Sequence, residues 1–244
     1  MDKTNLAVIT VCYNAEKEIE KTINSILQLN YSSLEYIIKD GSSTDNTLNI
    51  VKKYEEKFKE KNIKYSIVSH PDKGVYDAMN QAIEYVNSKW VIYMNAGDTF
   101  FDSNVIQDFD KFFKSLDIGV LYGNTTLSYD GELEECTLIP LKNIRYHMAF
   151  CHQASFVRRD LILKYKFDLK YKIAADYDFF LRCYLNNVKF QALERMVCIY
   201  DKSGISSLNG SQSDAEYASI HKKYRQGYPK WYKTLRYLKK NLLH

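Results

Sequence analysis

Continuous apolar runs at Leu6–Cys12, Tyr36–Lys39, Lys64–Val68 and Trp90–Met94 have the length and the β-branched or aromatic character of buried strands. Between them the period changes. Ile19, Ile23, Ile26 and Leu27 recur at three- and four-residue steps, and Leu48, Val51, Tyr54, Glu55 and Phe58 do so within Asn46–Glu60. Val75, Ala78, Met79, Ala82, Ile83 and Val86 mark a third amphipathic helix. Strands alternating with helices predict right-handed βαβ crossovers and a largely parallel sheet with helices on its faces.

The second half is less regular. Val120–Asn124 and Thr126–Tyr129, followed by the turn pair Asp130-Gly131, predict strands or a hairpin. Ala154–Val157 is strand-like, Ala175–Leu185 helical, and Phe190–Tyr200 a further strand. No repeat and no Gly-, Ser- or Pro-rich linker divides the chain, so the pattern is that of one α/β domain.

Composition narrows the class. Three prolines and nine glycines in 244 residues exclude collagen-like and linker-rich chains. The five cysteines (Cys12, Cys136, Cys151, Cys183 and Cys198) are odd in number and form no Cys-x-x-Cys, which argues against a disulfide framework and a structural zinc site. No stretch approaches the roughly 18–20 apolar residues of a membrane span. The short N-terminal apolar run lacks the length and cleavage site of a signal peptide, so the expectation is a soluble, cytoplasmic chain. Net charge is +4, yet His221–His244 alone carries eight basic residues and no acidic one, leaving the first 220 residues at −4. An acidic globule with a basic tail is not the charge pattern of a nucleic-acid binder.

In open parallel sheets, ligands bind beyond the carboxyl ends of the strands. Those ends here read Thr10, Tyr13, Asn14 and Glu16; Asp40-Gly41-Ser42-Ser43-Thr44-Asp45; His70-Pro71-Asp72-Lys73-Gly74; and Asn95-Ala96-Gly97-Asp98. Helix capping alone accounts for Asp, Ser and Asn in any one such loop, but four polar loops converging on one edge point to a ligand. The first loop has no Gly-x-Gly-x-x-Gly, and the chain has no Gly-x-x-x-x-Gly-Lys-Ser/Thr, which disfavours a classical dinucleotide cradle and excludes a P-loop.

Four of these blocks, Val8–Glu16, Ile38–Thr47, Asp72–Asn80 and Tyr93–Asp98, with Ala174-Ala175-Asp176-Tyr177-Asp178 later, resemble family 2 glycosyltransferases in sequence and in order over about residues 5–200. Within the family the chain looks most like bacterial enzymes of cell-surface polysaccharide assembly. The resemblance implies a GT-A fold, Rossmann-like with a mostly parallel mixed sheet flanked by helices. It also implies an inverting, metal-dependent transfer from a nucleotide-sugar, in the first place a UDP-sugar, to a saccharide or lipid-linked acceptor.

Roles carry over residue by residue. Tyr13 offers a ring to the base and Asp40 an acceptor for uracil N3–H, with Thr10, Glu16 and Ser42 as further base or ribose contacts. Lys73, Asp77, Asn95 and Gly97 are donor contacts. Asn95 and Asp98 stand at the family's Asp-x-Asp motif, so Asp98 is the expected ligand of Mn²⁺ or Mg²⁺; as an alternative, Asp98 caps the helix near Val105. Asp176 is the expected base for the acceptor hydroxyl, with Asp178 as its substitute. His152, in Cys151-His152-Gln153, falls where the acceptor or the donor sugar should lie. A nucleotidyltransferase would call for a Gly-rich triphosphate loop after the first strand, and a non-catalytic nucleotide-binding module would have no use for Asp176.

The expected organisation is a catalytic domain over residues 1–207, nucleotide-binding to about 100 and acceptor-facing beyond, then a basic helical extension over 208–244. Trp231, Leu235, Leu238 and Leu242 share one helical face there, with Lys233, Arg236, Lys239 and Lys240 largely on others. Such a helix either lies on an anionic membrane surface, on the inner face of the cytoplasmic membrane, or packs on the domain.

Overall fold

The computed structural model describes residues 5–129, 131–202 and 210–226. The tail face from Trp231 to Leu242 and Asp130 of the expected turn lie outside the described residues.

The predicted strands form as β1 (Leu6–Cys12), β2 (Leu34–Asp40), β3 (Lys64–Ser69) and β4 (Trp90–Tyr93), hydrogen-bonded in parallel in the order β3-β2-β1-β4. All seven residues of both β1 and β2 are buried, because helices cover both faces of the sheet. On one face α1 (Ile19–Leu27), α2 (Thr47–Lys52) and α3 (Glu55–Glu60) pack Ile23, Ile26, Val51 and Phe58 against Val8, Tyr36 and Ile38. On the other, α4 (Val75–Ala82) sets Ala78, Met79 and Ala82 against Ala7, Ile9 and Ile37.

The single helix expected over Asn46–Glu60 is two. Lys53 and Tyr54 donate their N–H groups to Ile50 and Val51, which tightens the turn, and the Tyr65 hydroxyl takes the Val51 carbonyl at 2.9 Å. Tyr54 is thereby turned inward, where its hydroxyl donates to Glu20 at 2.5 Å.

Past β4 the sheet becomes mixed. After β5 (Thr99–Phe100) and α5 (Val105–Phe113) comes β6 (Ile118–Tyr129), one strand of 12 residues where two were expected. Register shifts on both sides of Gly123 bend it, so that Val120–Tyr122 pair with β8 (Ser155–Arg158) while Thr125–Tyr129 form a hairpin with β7 (Glu132–Cys136). Then follow α6 (Arg159–Tyr165), α7 (Ala175–Leu185), β9 (Lys189–Asp201) and α8 (Gly210–Lys223). The full order is β3-β2-β1-β4-β8-β6-β9-β5, with β7 paired to β6. No helix among the described residues is long and apolar enough to cross a membrane.

Candidate active site

The first rim of the site is the pair of loops after β1 and β2, laced together by side chains. Asn14 sits at φ 51° and accepts the Thr44 N–H at 2.8 Å, while its own N–H donates to Ser43 Oγ at 2.8 Å. Glu16 accepts the Asn46 N–H at 3.0 Å, and Asp45 accepts the Glu16 N–H at 3.1 Å. Glu16 therefore staples the two loops.

Asp40 is fully buried, and its carboxylate accepts from the Ser42 and Ser43 N–H groups, from Ser43 Oγ and, at 2.6 Å, from Ser69 Oγ. Asp40, expected to accept uracil N3–H, stands at the end of β2 and organises the loop that carries Ser42. Thr10, expected as a base or ribose contact, lies within β1. It is fully buried, donating to the Met94 carbonyl at 2.7 Å and accepting from the Tyr36 hydroxyl at 3.1 Å.

Tyr13 presents its ring to solvent and is 61% exposed. Its ring borders Gly41, where a Cβ would stand 3.3 Å from Tyr13 Cδ2 and 2.8 Å from Asp72 Oδ2, so only glycine lets these groups converge. Asp72 is held there by a cation that the sequence reading did not single out. The Lys39 ammonium is completely buried and donates to Asp72 at 3.0 Å and to the Asp40 and His70 carbonyls at 2.9 and 2.7 Å.

The second rim is the turn after β4. Gly97 adopts φ +97°, which a side chain would strain. The buried Thr22 hydroxyl threads the turn, accepting the Gly97 N–H at 2.9 Å and donating to the Asp98 carbonyl at 2.8 Å. Asp98 is 3% exposed, and its carboxylate accepts the Asp201 N–H at 2.9 Å and a hydrogen bond from Gln153. Burial, reinforced by the negative charge of Asp201, pushes the Asp98 carboxyl up to about 7, against those hydrogen bonds and Lys21. The Asp98 side chain thus faces the end of β9 and does not cap α5. A Cβ on Gly97 would stand 3.9 Å from Asp201 Oδ2, which places that second carboxylate on the same turn. Asn95 Oδ1 is buried with no hydrogen-bond partner among the described residues.

An orphaned amide oxygen and two carboxylates are hard oxygen donors, the type that Mg²⁺ and Mn²⁺ take. No group of three His, Cys, Asp or Glu suited to a metal occurs among the described residues. An ion here would therefore complete its shell with phosphate oxygens and water, as such ions commonly do.

The third rim is the start of α7. Asp176 is partly exposed and accepts the Tyr177 N–H at 2.8 Å and the Tyr76 hydroxyl at 3.2 Å. Burial raises its carboxyl to about 6; these hydrogen bonds pull the other way. Tyr76 lies on α4 and its single hydroxyl proton is shared between Asp176 and the nearer Ile173 carbonyl at 2.7 Å, so the Asp72–Asn80 block meets the Asp176 block through one side chain. Asp77, next to Tyr76, accepts the Lys73 N–H at 2.9 Å and Gln81 at 3.0 Å; the Lys73 residue is exposed.

Asp178 and His152, the other two residues expected near the acceptor, are both buried. Asp178 is fully buried and bound by Arg182 at 2.7 Å, Lys223 at 3.2 Å and the Tyr224 hydroxyl at 3.0 Å, so it is a structural anchor and not a substitute base. His152 is 6% exposed among Tyr93, Phe167 and Phe180, and burial depresses its imidazole to about 4. Its Nε2 has no partner among the described residues, and its neighbour Gln153 is the residue that reaches Asp98.

A parallel first half and a mixed second half, with acidic groups at the strand ends, are the GT-A architecture of the solved structures the chain superposes on. The model of glycosyl transferase family 2 matches residues 7–161, and the chain belongs to that family and is a glycosyltransferase. Over 187 residues it is 28% identical to a PGL/p-HBAD biosynthesis glycosyltransferase of Mycobacterium bovis, covering 74% of this chain and 70% of the relative. An uncharacterized glycosyltransferase of Methanocaldococcus jannaschii is 25% identical over 211 residues, covering 82% and 71%. Staphylococcus aureus TarS 1-349, crystallised in complex with UDP, superposes with a TM-score of 0.66 at 23% identity over 81% of this chain; the chain spans 60% of that fragment. The mannosyltransferase PcManGT of Pyrobaculum calidifontis, in complex with GDP-Man and Mn²⁺, superposes with a TM-score of 0.70 at 18% identity over 92% of this chain and 65% of its own.

Proposed function

We propose that this glycosyltransferase moves a sugar from a UDP-linked donor to a hydroxyl of a saccharide or lipid-linked saccharide, with inversion, in surface polysaccharide assembly. The observation that carries the reading is Asp176, a half-buried residue whose carboxylate is held by Tyr76 and by its own helix terminus. Its carboxyl, raised to about 6, is basic enough to accept a proton and still ionised at neutral pH.

In the proposed step the acceptor hydroxyl gives its proton to the Asp176 carboxylate. The acceptor oxygen bonds to the anomeric carbon from the face opposite the leaving group. The carbon–oxygen bond to the diphosphate breaks, and its electron pair leaves with UDP. Asp98, Asp201 and Asn95 Oδ1 would hold Mg²⁺ or Mn²⁺, which when bound supplies charge neutralisation to the diphosphate. Tyr13 stacks on the base. The acidic edge at Asp72 accepts an N–H, which uracil offers at N3 and cytosine does not, and the close approach at Gly41 suits a pyrimidine. Lys73 and Asp77 lie on the loop that would face the donor.

The cationic residues of 221–244 suit a contact with an anionic membrane carrying the acceptor, although Lys223 is engaged by Asp168 and Asp178. A panel of UDP-, GDP- and CMP-sugars assayed for nucleotide release with Mn²⁺ tests the reading. Release confined to UDP-sugars supports it; release from no donor, with or without saccharide acceptors, rejects it.

A further inference from the structure

We propose that Glu216, on the C-terminal helix α8 and beyond the segment matched by the family model, is a positioning residue for the Asp176 base. The proposal rests on Asp176 being that base. Glu216 Oε1 accepts the Lys172 N–H at 2.9 Å, and Oε2 accepts the Ile173 and Ala174 N–H groups, both at 2.9 Å. These three amides immediately precede α7, whose second residue is Asp176.

The chain needs an outside acceptor at this point. The residue capping α7 is Ala174, which has no side-chain oxygen, and no side-chain cap forms there. The Glu216 carboxylate binds the three amides just ahead of that first turn, and three charge-assisted hydrogen bonds fix the backbone that leads into Asp176. The Ile173 carbonyl, on the far side of the same peptide segment, is held by Tyr76, the residue that also binds Asp176. The strand of chain before the base is thus gripped from α8 through its N–H groups and from α4 through a carbonyl.

Helix α8 is itself anchored to α7. Tyr217 stacks on Tyr177 with ring centroids 4.4 Å apart, Tyr177 and His221 meet at 3.0 Å, and Lys223 reaches Asp178. Glu216 therefore cannot swing away while these contacts stand.

The arrangement has an electrostatic consequence that a purely structural brace would not need. The ionisable groups facing Asp176 are Tyr76 on α4 and Glu216 on α8, with Tyr217 adjoining Tyr76. Asp178, on the same helix, is compensated by Arg182 and Lys223. Burial favours the neutral form of Glu216, but the three backbone N–H groups and Gln212 outweigh it and hold its carboxyl below the ordinary value. Glu216 is therefore anionic wherever Asp176 titrates, and its charge disfavours loss of the Asp176 proton.

The test compares Glu216→Gln and Glu216→Asp in the full chain, measuring kcat, donor KM, UDP affinity and the pH profile of kcat. Glu216→Gln keeps the shape but turns an NH₂ toward backbone donors and removes the charge. We expect kcat to fall roughly 10- to 100-fold, the range for a slightly misplaced reacting group, with UDP affinity unchanged. The acidic limb should move to lower pH, because the charge that retains the Asp176 proton is gone. Glu216→Asp should return the limb toward its parent position. Parent kcat with an unmoved limb in Glu216→Gln would overturn the proposal. So would a parallel loss of UDP affinity in both variants, since the residue would then be holding the fold and not the base. Asp176→Asn separates the two readings: if it retains parent turnover, the base assignment itself fails, whatever Glu216 does.

Discussion

The backbone N–H of Asp201 donates to the Asp98 carboxylate at 2.9 Å, joining the end of β9 to the turn after β4 across 103 residues of chain. The contact makes the proposed cation site a product of both halves of the fold. Removing Asp98 should abolish the metal-dependent part of UDP binding, while Asp201→Asn should weaken it less. Calorimetric titration of UDP with and without Mn²⁺ checks both. Equal Mn²⁺ enhancement in Asp98→Ala and the parent would place the ion elsewhere.

Lys39 is the most consequential buried charge of the nucleotide rim. Its ammonium has no contact with water and three oxygen partners. Lys39→Met leaves Asp72 and two carbonyls without their donor, and loss of one member of a buried pair costs about 3–5 kcal/mol. Urea denaturation should show a loss of that order, accompanied by weaker UDP binding as the Asp72 loop loosens.

The pH dependence follows from Asp176. A general base works in its ionised form, and its carboxyl titrates at about 6, so kcat should rise as pH climbs through about 6 and level off above. The Tyr76 hydroxyl donates to the ionised form and lowers that value. Tyr76→Phe should therefore move the limb to higher pH, opposite in direction to Glu216→Gln. Steady-state profiles over pH 5–8 in a constant-ionic-strength buffer read both shifts.

Tyr13, 61% exposed, offers its ring to the base in the proposed reading. Stacking of a base on an aromatic side chain contributes roughly 1–3 kcal/mol, so Tyr13→Ala should weaken UDP binding correspondingly and leave stability unchanged. UDP should bind more tightly than GDP or CMP to the parent. Equal affinity for GDP would contradict the pyrimidine pocket.

The first half is legible because its signals are local: four apolar runs mark β1–β4 within a residue or two, and three helical periods mark where helices lie, though the second is split in two and α4 ends at Ala82, short of Val86. Tyr65 taking the Val51 carbonyl, which splits α2 from α3, is a tertiary event that periodicity does not record. The motif loops were found, but not which side chains face inward. Asp40 and Thr10 stand at strand ends as expected, yet their hydrogen-bonding partners come from neighbouring strands and loops. Asp178 and Asp176 are two residues apart on one helix and fall on different sides of it. Lys223 and Tyr224, distant in sequence, decide which of them is an anchor. Asp201 and Glu216 carry no local signal, since each acts on a partner far away along the chain.

The central claim is that Asp176 takes the acceptor proton. Single-turnover sugar transfer by Asp176→Asn, measured beside its UDP affinity, tests it most directly. The account predicts parent-like UDP binding with transfer reduced by at least ~100-fold, the low end of what a positioned base contributes. Transfer at the parent rate, with UDP bound as in the parent, would contradict it.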